Sequence, residues 1–102
     1  MAGTYAILLH WRLKPGREAD FEEAWEAVTI AMLGQKSLGS ALFEAPDGTV
    51  YALARWPDRA ARERAYSDVT IAGARAVMAD AIAETLPSVE LVEGMNHWVA
   101  GS

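Results

Sequence analysis

Every odd-numbered residue from Tyr5 to Leu13 (Tyr5, Ile7, Leu9, Trp11, Leu13) is large and apolar, whereas the even-numbered set ends in His10 and Arg12. Side chains alternate across a β-strand, so this segment has one wholly apolar face and one mixed face. The first face requires a core, and the second requires something other than bulk water over part of its length. Lys14-Pro15-Gly16 then ends the strand.

A helical period follows over Arg17 to Leu33, where Phe21, Ala24, Trp25, Val28 and Met32 recur at three- and four-residue steps. Glu18 and Asp20 fall in its first turn, where carboxylates suit the positive end of the macrodipole. Glu22, Glu23 and Glu26 lie mostly off the stripe and read as a solvated face without chemistry. Beyond a loop over Gly34–Gly39, strands are expected over Ser40–Ala45 and Thr49–Trp56, on either side of the turn Pro46-Asp47-Gly48. In the second of them Val50, Ala52, Ala54 and Trp56 share one face, and Tyr51, Leu53 and Arg55 the other.

Pro57-Asp58 opens a short, Arg-rich helix ending at Tyr66. A further helix is expected to restart at Asp68 or Thr70 and to run to about Thr85, with Ile71, Ala74, Met78 and Ile82 as its stripe, before Pro87 stops it. The last strand is expected over Ser88–Glu93, extending through His97-Trp98-Val99 after an interruption at Gly94.

The resulting order, β-α-β-β-α-β, predicts an α+β fold: a ferredoxin-like sandwich with a four-stranded antiparallel sheet and helices on one face. At 102 residues the chain has the size of a single domain spanning 1–102. About a fifth of it is Ala, which buries little area, so the larger apolar residues must carry the core. The sheet face without helices has no cover of its own. Leu42, Tyr51, Leu53 and Leu91 on alternating strands make both faces too apolar for free solvent, and a homodimer joined sheet to sheet is the expectation.

With no Cys, the chain has no disulfide, thiolate zinc site, iron–sulfur cluster or cysteine nucleophile. A formal charge of −5 disfavours a nucleic-acid partner. Met1-Ala2-Gly3-Thr4 places no basic residues ahead of the apolar run, and Tyr5–Trp11 is too short to span a bilayer, so a soluble cytoplasmic protein without a membrane partner is expected. No Gly-rich phosphate motif supports a flavin or nicotinamide, and no Ser sits in a Gly-x-Ser-x-Gly elbow. His10 and His97, the only imidazoles, have no second ligand at metal-binding spacing. Neither a cofactor nor a metal is therefore expected.

Four residues remain as candidates for chemistry. Arg75 shares a helical stripe with Ile71, Met78 and Ile82, where a guanidinium needs a carboxylate, a backbone carbonyl or an anionic ligand. It serves either as a snorkelling or salt-bridged residue or as a group that stabilises an enolate or phenolate. His10, on the mixed face of the first strand, is the candidate general base, or else an interface or hydrogen-bonded core histidine. Tyr66 closes the short helix after Trp56 and either packs half-buried or donates a phenolic proton. Trp56, at a strand end beside a helix start, reads as a core aromatic or a pocket wall. Trp11 and Trp25 read as core, and His97 as a residue packing on a partner subunit.

The first strand running into Lys14-Pro15-Gly16, Phe21 four residues into an acidic helix, Leu38-Gly39-Ser40 opening the second strand and Ala54-Arg55-Trp56 ending the third form a recognisable set. Ala61 follows Trp56 by five residues in a charged helix, similar to a Trp-x-(Ser/Asp)-x-x-Ala signature. Over nearly its whole length the chain resembles the antibiotic-biosynthesis-monooxygenase-like domains of the dimeric α+β barrel superfamily. The resemblance implies a homodimeric barrel and a functional Trp56, since members that oxygenate aromatic substrates place a Trp at this signature. It also implies a cofactor-independent monooxygenase that oxidises an electron-rich phenol or quinol of polyketide type with dioxygen. The same barrel hosts haem degraders, isomerases, decarboxylases and proteins without known activity. A non-enzymatic small-molecule-binding or interaction module, and an isomerase or decarboxylase acting on a small acid or lactone, therefore stand beside the oxygenase. Haem degraders of the group use a His on the second long helix; here that helix has no His and Arg75 stands near that place, although other side chains are able to ligate iron.

Overall fold

The alternation of the first segment is realised as strand β1 (Tyr5–Leu13), whose Tyr5, Ile7 and Trp11 are buried beneath the helices. The computed structural model describes residues 3–98; Met1, Ala2 and Val99, which bear on the expected start and end of the chain, lie outside the described residues. Helix α1 (Glu18–Leu33) buries Phe21, Ala24, Val28 and Met32, four members of the stripe read from the sequence. Strands β2 (Gly39–Glu44) and β3 (Val50–Trp56) form the expected hairpin, with Gly48 at the turn in the left-handed region (φ 86°) that favours glycine. Helix α2 (Arg59–Tyr66) starts at Asp58, whose side chain accepts from the Ala61 N–H at 2.8 Å. A single 3₁₀ turn (Val69–Ile71), capped by Asp68, leads into α3 (Ala72–Ala81) and then β4 (Ile82–Val92).

All strand pairs are antiparallel and the sheet order is β2-β3-β1-β4. This is the ferredoxin-like α+β arrangement anticipated from the element order. Residues Tyr5, Ile7, Leu9 and Trp11 of β1 pair with Trp56, Ala54, Ala52 and Val50 of β3, so the two apolar faces register under the helices. The core there has two clusters. One gathers Ile7, Val28, Met32, Trp56 and Ile71, the other Trp11, Phe21, Val50 and Ala52, and Leu9 and Met78 pack against both. Trp11 meets Phe21 edge-on at 5.3 Å between ring centroids.

The C-terminal third departs from the sequence expectation. Helix α3 ends at Ala81 rather than near Thr85, and β4 begins at Ile82 and continues through Pro87. The helix end is set by a distant partner: the Ala81 carbonyl accepts from the Lys14 backbone N–H at 2.9 Å, just past the end of β1. Pro87 is tolerated because β4 is an edge strand whose register against β1 shifts between Leu8 and His10, where a ladder donor is already missing. Residues 93–98 form no strand; Asn96 and Trp98 instead donate side-chain hydrogen bonds to Glu93. No helix among the described residues is long and apolar enough to cross a membrane.

Candidate active site

Ala52 and Ala54 occupy successive helix-facing positions of β3, between the larger Val50 and Trp56. Their small side chains leave space where the two core clusters meet. A cavity of about 240 Å³ lies there, floored by Leu9, Ala52 and Ala54, walled by Trp11, Val28, Met32, Trp56 and Met78, and reached by Arg62, Tyr66 and Arg75 from α2 and α3. Its volume exceeds the roughly 150 Å³ that admits a single benzene ring.

The charged groups of this cavity are donors, and Thr29, Ser40 and Tyr66 add hydroxyls. Among the described residues three buried side-chain nitrogens lack a hydrogen-bond partner, and two of them, Trp56 Nε1 and Arg62 Nε, belong to cavity-lining residues. An unpartnered buried donor costs about 1–3 kcal/mol, so each of these nitrogens gains from an acceptor brought against it. The Tyr66 ring is approached by two guanidiniums, with Arg62 Cζ 4.5 Å and Arg75 Cζ 4.8 Å from its centroid. Arg75 also donates to the Tyr66 carbonyl at 3.2 Å, a backbone carbonyl being one of the three kinds of partner expected for it. Neither Arg62 nor Arg75 joins an ion pair among the described residues, in contrast to Arg17, Arg55 and Arg59. Among the described residues no carboxylate or imidazole lines the cavity. The arrangement suits an electron-rich oxygen on an aromatic frame.

Trp56, Tyr66 and Arg75 are thus brought to one cavity, while His10 is not. His10 projects from the other face of the sheet, stacked on Tyr51 at 3.8 Å between ring centroids. Its Nε2 lies 2.8 Å from Thr49 Oγ1, which donates its single proton to Asp47 Oδ1 at 2.6 Å. His10 Nε2 must therefore carry the hydrogen in that contact. Bonds from the Thr49 hydroxyl and backbone N–H hold the Asp47 carboxyl below its ordinary range. The mixed-face placement of His10 followed from alternation; a role as base to the Trp56 cavity does not, because odd and even positions of one strand face opposite ways. His97 is exposed near the end of the described chain. Trp11 is core as expected, whereas Trp25 is only partly buried.

Trp25 and Ser40 line both this cavity and a second, wider hollow of about 720 Å³ between α1 and the β2–β3 hairpin. Glu18, Glu22, Glu26 and Glu44 line that outer hollow. Sequence periodicity alone puts Glu22 and Glu26 on a solvated face. The spacing of 18, 22 and 26 did place them in one row, but the hairpin opposite them is a tertiary feature. Arg62 was also missed; its one available signal was its position four residues before Tyr66 on α2. Among the described residues no group of three or more His, Cys, Asp or Glu side chains could hold a metal ion.

Comparison with solved structures decides the fold. An antibiotic biosynthesis monooxygenase-like protein from Chloroflexus aurantiacus superposes with a TM-score of 0.82 at 16% identity, over 96% of this chain and 100% of that one. The chain has the fold of the antibiotic biosynthesis monooxygenase-like proteins. A further monooxygenase-like protein, from Bordetella bronchiseptica, gives a TM-score of 0.77 at 18% identity over 91% of this chain and 99% of its own. SnoaB from Streptomyces nogalater, a cofactor-independent oxygenase, gives 0.73 at 14% identity over 97% and 99%. No family model matches the sequence, and no curated protein matches it. Within this monooxygenase-like fold the Trp-x-Asp-x-x-Ala residues have a physical basis: Asp58 caps α2 by accepting from Ala61, and Ala61 is buried beside Trp56 in the same core cluster.

Proposed function

We propose that this chain is a cofactor-independent oxygenase that oxidises an electron-rich phenol or quinol held in the cavity beneath Trp56. The observation that carries this reading is an aromatic-walled cavity lined by two arginines, Arg62 and Arg75, that join no ion pair among the described residues, beside the partnerless indole N–H of Trp56. A substrate oxygen accepting from them is stabilised more as an anion than as a neutral phenol, because Arg62 and Arg75 carry charge not neutralised by any carboxylate. The phenolic or benzylic proton leaves to water, since His10 is on the far face. The substrate anion then reduces dioxygen; at a CH₂ centre one oxygen atom becomes the product carbonyl and the other leaves as water. Apolar walls exclude bulk solvent and strengthen these interactions. The fold shared with SnoaB supports the reading.

The test is oxygen uptake with a hydroxyanthrone, alongside the doubly substituted Arg75→Ala/Trp56→Phe protein. Uptake is expected to fall about 100-fold or more in the double variant, the usual consequence of removing transition-state donors. Unchanged uptake in that variant refutes the residue assignment. One observation favours a second reading, that of a small-molecule-binding module: among the described residues no carboxylate or imidazole lines the cavity to act as a base. Binding of the anthrone without oxygen uptake selects it.

The reading includes a sheet-to-sheet homodimer. Phe43, Val89 and Leu91 are 51%, 48% and 42% exposed. They share the helix-free face with Leu8, His10, Tyr51 and Leu53. A face of this apolar character on an otherwise charged surface calls for a second protein surface.

A further inference from the structure

Among the described residues Arg12, Arg17, Arg55 and Arg59 each meet a carboxylate, and Arg62, Arg64 and Arg75 meet none. Arg64 is exposed on α2 and does not line the inner cavity, whereas Arg62 and Arg75 both line it. Arg75 is exposed and has the Tyr66 carbonyl as a hydrogen-bond partner. Arg62 is half-buried and has no hydrogen-bond partner among the described residues; its Nε is buried, while its terminal nitrogens are not. Both guanidiniums lie against the Tyr66 ring, with Arg62 Cζ at 4.5 Å and Arg75 Cζ at 4.8 Å from one centroid. A ring face attracts a cation but carries no net charge, so it leaves their mutual repulsion in place. At Arg62, partial burial also weakens screening by water. A neutral phenol leaves both charges unbalanced until its proton departs, whereas a ligand with a fixed negative charge balances one of them from the outset. The planar fork of a guanidinium matches a carboxylate, which it holds by two parallel charge-assisted bonds. The cavity of about 240 Å³ beside Trp11, Trp25 and Trp56 suits an aromatic frame for that carboxylate.

We propose that the inner cavity selects an aromatic phenol carrying a carboxylate, and that Arg62 is the residue that sets this preference. The ring lies over Ala52 and Ala54 with its phenolic oxygen toward Trp56. The carboxylate sits beside Tyr66 on the Arg62 guanidinium, with Arg75 adding charge from α3. This assignment rests on the reading of the inner cavity as the ligand site, and adds the charge class of the ligand and the side chain that reads it. The long-range field works the other way: with a formal charge of −5 the protein as a whole repels an anion, so a preference for the acid has to arise locally.

Three probes sharing one ring system test it by calorimetry: 1-naphthol, 1-hydroxy-2-naphthoate, and the neutral carboxamide of that acid. The acid is expected to bind about tenfold tighter than the amide, the usual difference between a charge-assisted and a neutral hydrogen-bonded pair. Arg62→Gln should bring the acid to the affinity of the amide. Arg62→Lys, which keeps the charge without the fork, should retain a smaller preference. Arg64→Gln, the same loss of charge on α2 but outside the cavity, should leave the difference unchanged. Equal binding of acid and amide by the unaltered protein overturns the proposal and leaves the inner-cavity reading standing, as does an Arg64→Gln effect as large as that of Arg62→Gln. A preference undiminished in Arg62→Lys overturns it too, and this variant decides the matter if Arg62→Gln does not fold. Failure of all three probes to bind, or affinities indifferent to Trp56→Phe, overturns the inner-cavity reading and the proposal together.

Discussion

Replacing Trp56 by Phe separates two roles that a buried indole usually combines. Trp56 is 2% exposed, and its Nε1 has no partner. Phe retains an aromatic ring but buries roughly 40 Å² less apolar surface, which at about 25 cal/mol per Å² is a loss of about 1 kcal/mol. Against that, the substitution removes an unsatisfied buried donor, worth about 1–3 kcal/mol to the folded state. The two effects oppose each other, so ligand-free stability should change by no more than about 1 kcal/mol, or a Tm shift within about 4–8 °C for a domain of this size. Trp56→Ala has no such compensation and should lose about 3–5 kcal/mol. Binding behaves differently. A phenol oxygen that accepts from Nε1 loses about 1.5 kcal/mol of interaction in Trp56→Phe, so 1-naphthol should bind roughly tenfold more weakly. Urea unfolding of the three proteins and calorimetry with 1-naphthol provide the measurements. If Trp56→Phe loses more than about 2 kcal/mol without ligand while its affinity for 1-naphthol is unchanged, the indole N–H is not the open ligand contact inferred for it.

Three further outcomes follow from surfaces and charges away from the cavity. Leu91→Glu places a carboxylate on the helix-free sheet face, where Leu91 is 42% exposed, and should convert a dimer to a monomer in analytical ultracentrifugation with its helical content retained; a wild-type chain that sediments as a monomer refutes the dimer. Asp47, Asp68, Asp80 and Glu93 are held below their ordinary range, chiefly by Thr49, Thr70, Arg17 and Asn96 respectively. A lowered folded-state pKa gives stability that is present above the unfolded value and lost as pH falls through the folded one, so urea stability should be flat near neutrality and decline below about pH 4. Thr49→Val removes the largest influence on Asp47, and its stability deficit relative to wild type should narrow as the pH drops through that window; a constant deficit refutes the linkage.

Periodicity made most of the fold legible because most of its elements carry local signals. The β1 alternation, the α1 stripe, the Pro46-Asp47-Gly48 turn and the Asp58 cap each name their own element within a few residues. The junction of α3 and β4 does not. Ile82 continues the helical spacing of Ile71 and Met78 yet begins a strand, because the Ala81 carbonyl is taken by the Lys14 N–H and the following residues find β1. Pro87 was read as a helix stop by a rule for helices and occupies a register shift on an edge strand. Both errors come from long-range pairing, which leaves no trace in neighbouring residues.

The candidate site was legible in part for the same reason. Trp56 and Tyr66 stand at element ends, so their convergence follows from topology; Arg75, expected on a stripe facing the sheet, is exposed and lines the cavity from α3. His10 was placed on the correct face of β1, but its assignment as base ignored what that placement means, since the cavity opens on the other face. The feature that makes room for a ligand was visible only as composition. Alanine in a core contributes little burial, and where Ala52 and Ala54 stand side by side in the central sheet that deficit becomes a volume of about 240 Å³ rather than a looser core everywhere. Around it Trp56, Trp11 and Phe21 supply the largest side chains of the two clusters. Filling it with Ala52→Leu would remove no hydrogen bond and no charge. A thin core and the cavity beneath Trp56 are, in this chain, the same set of residues.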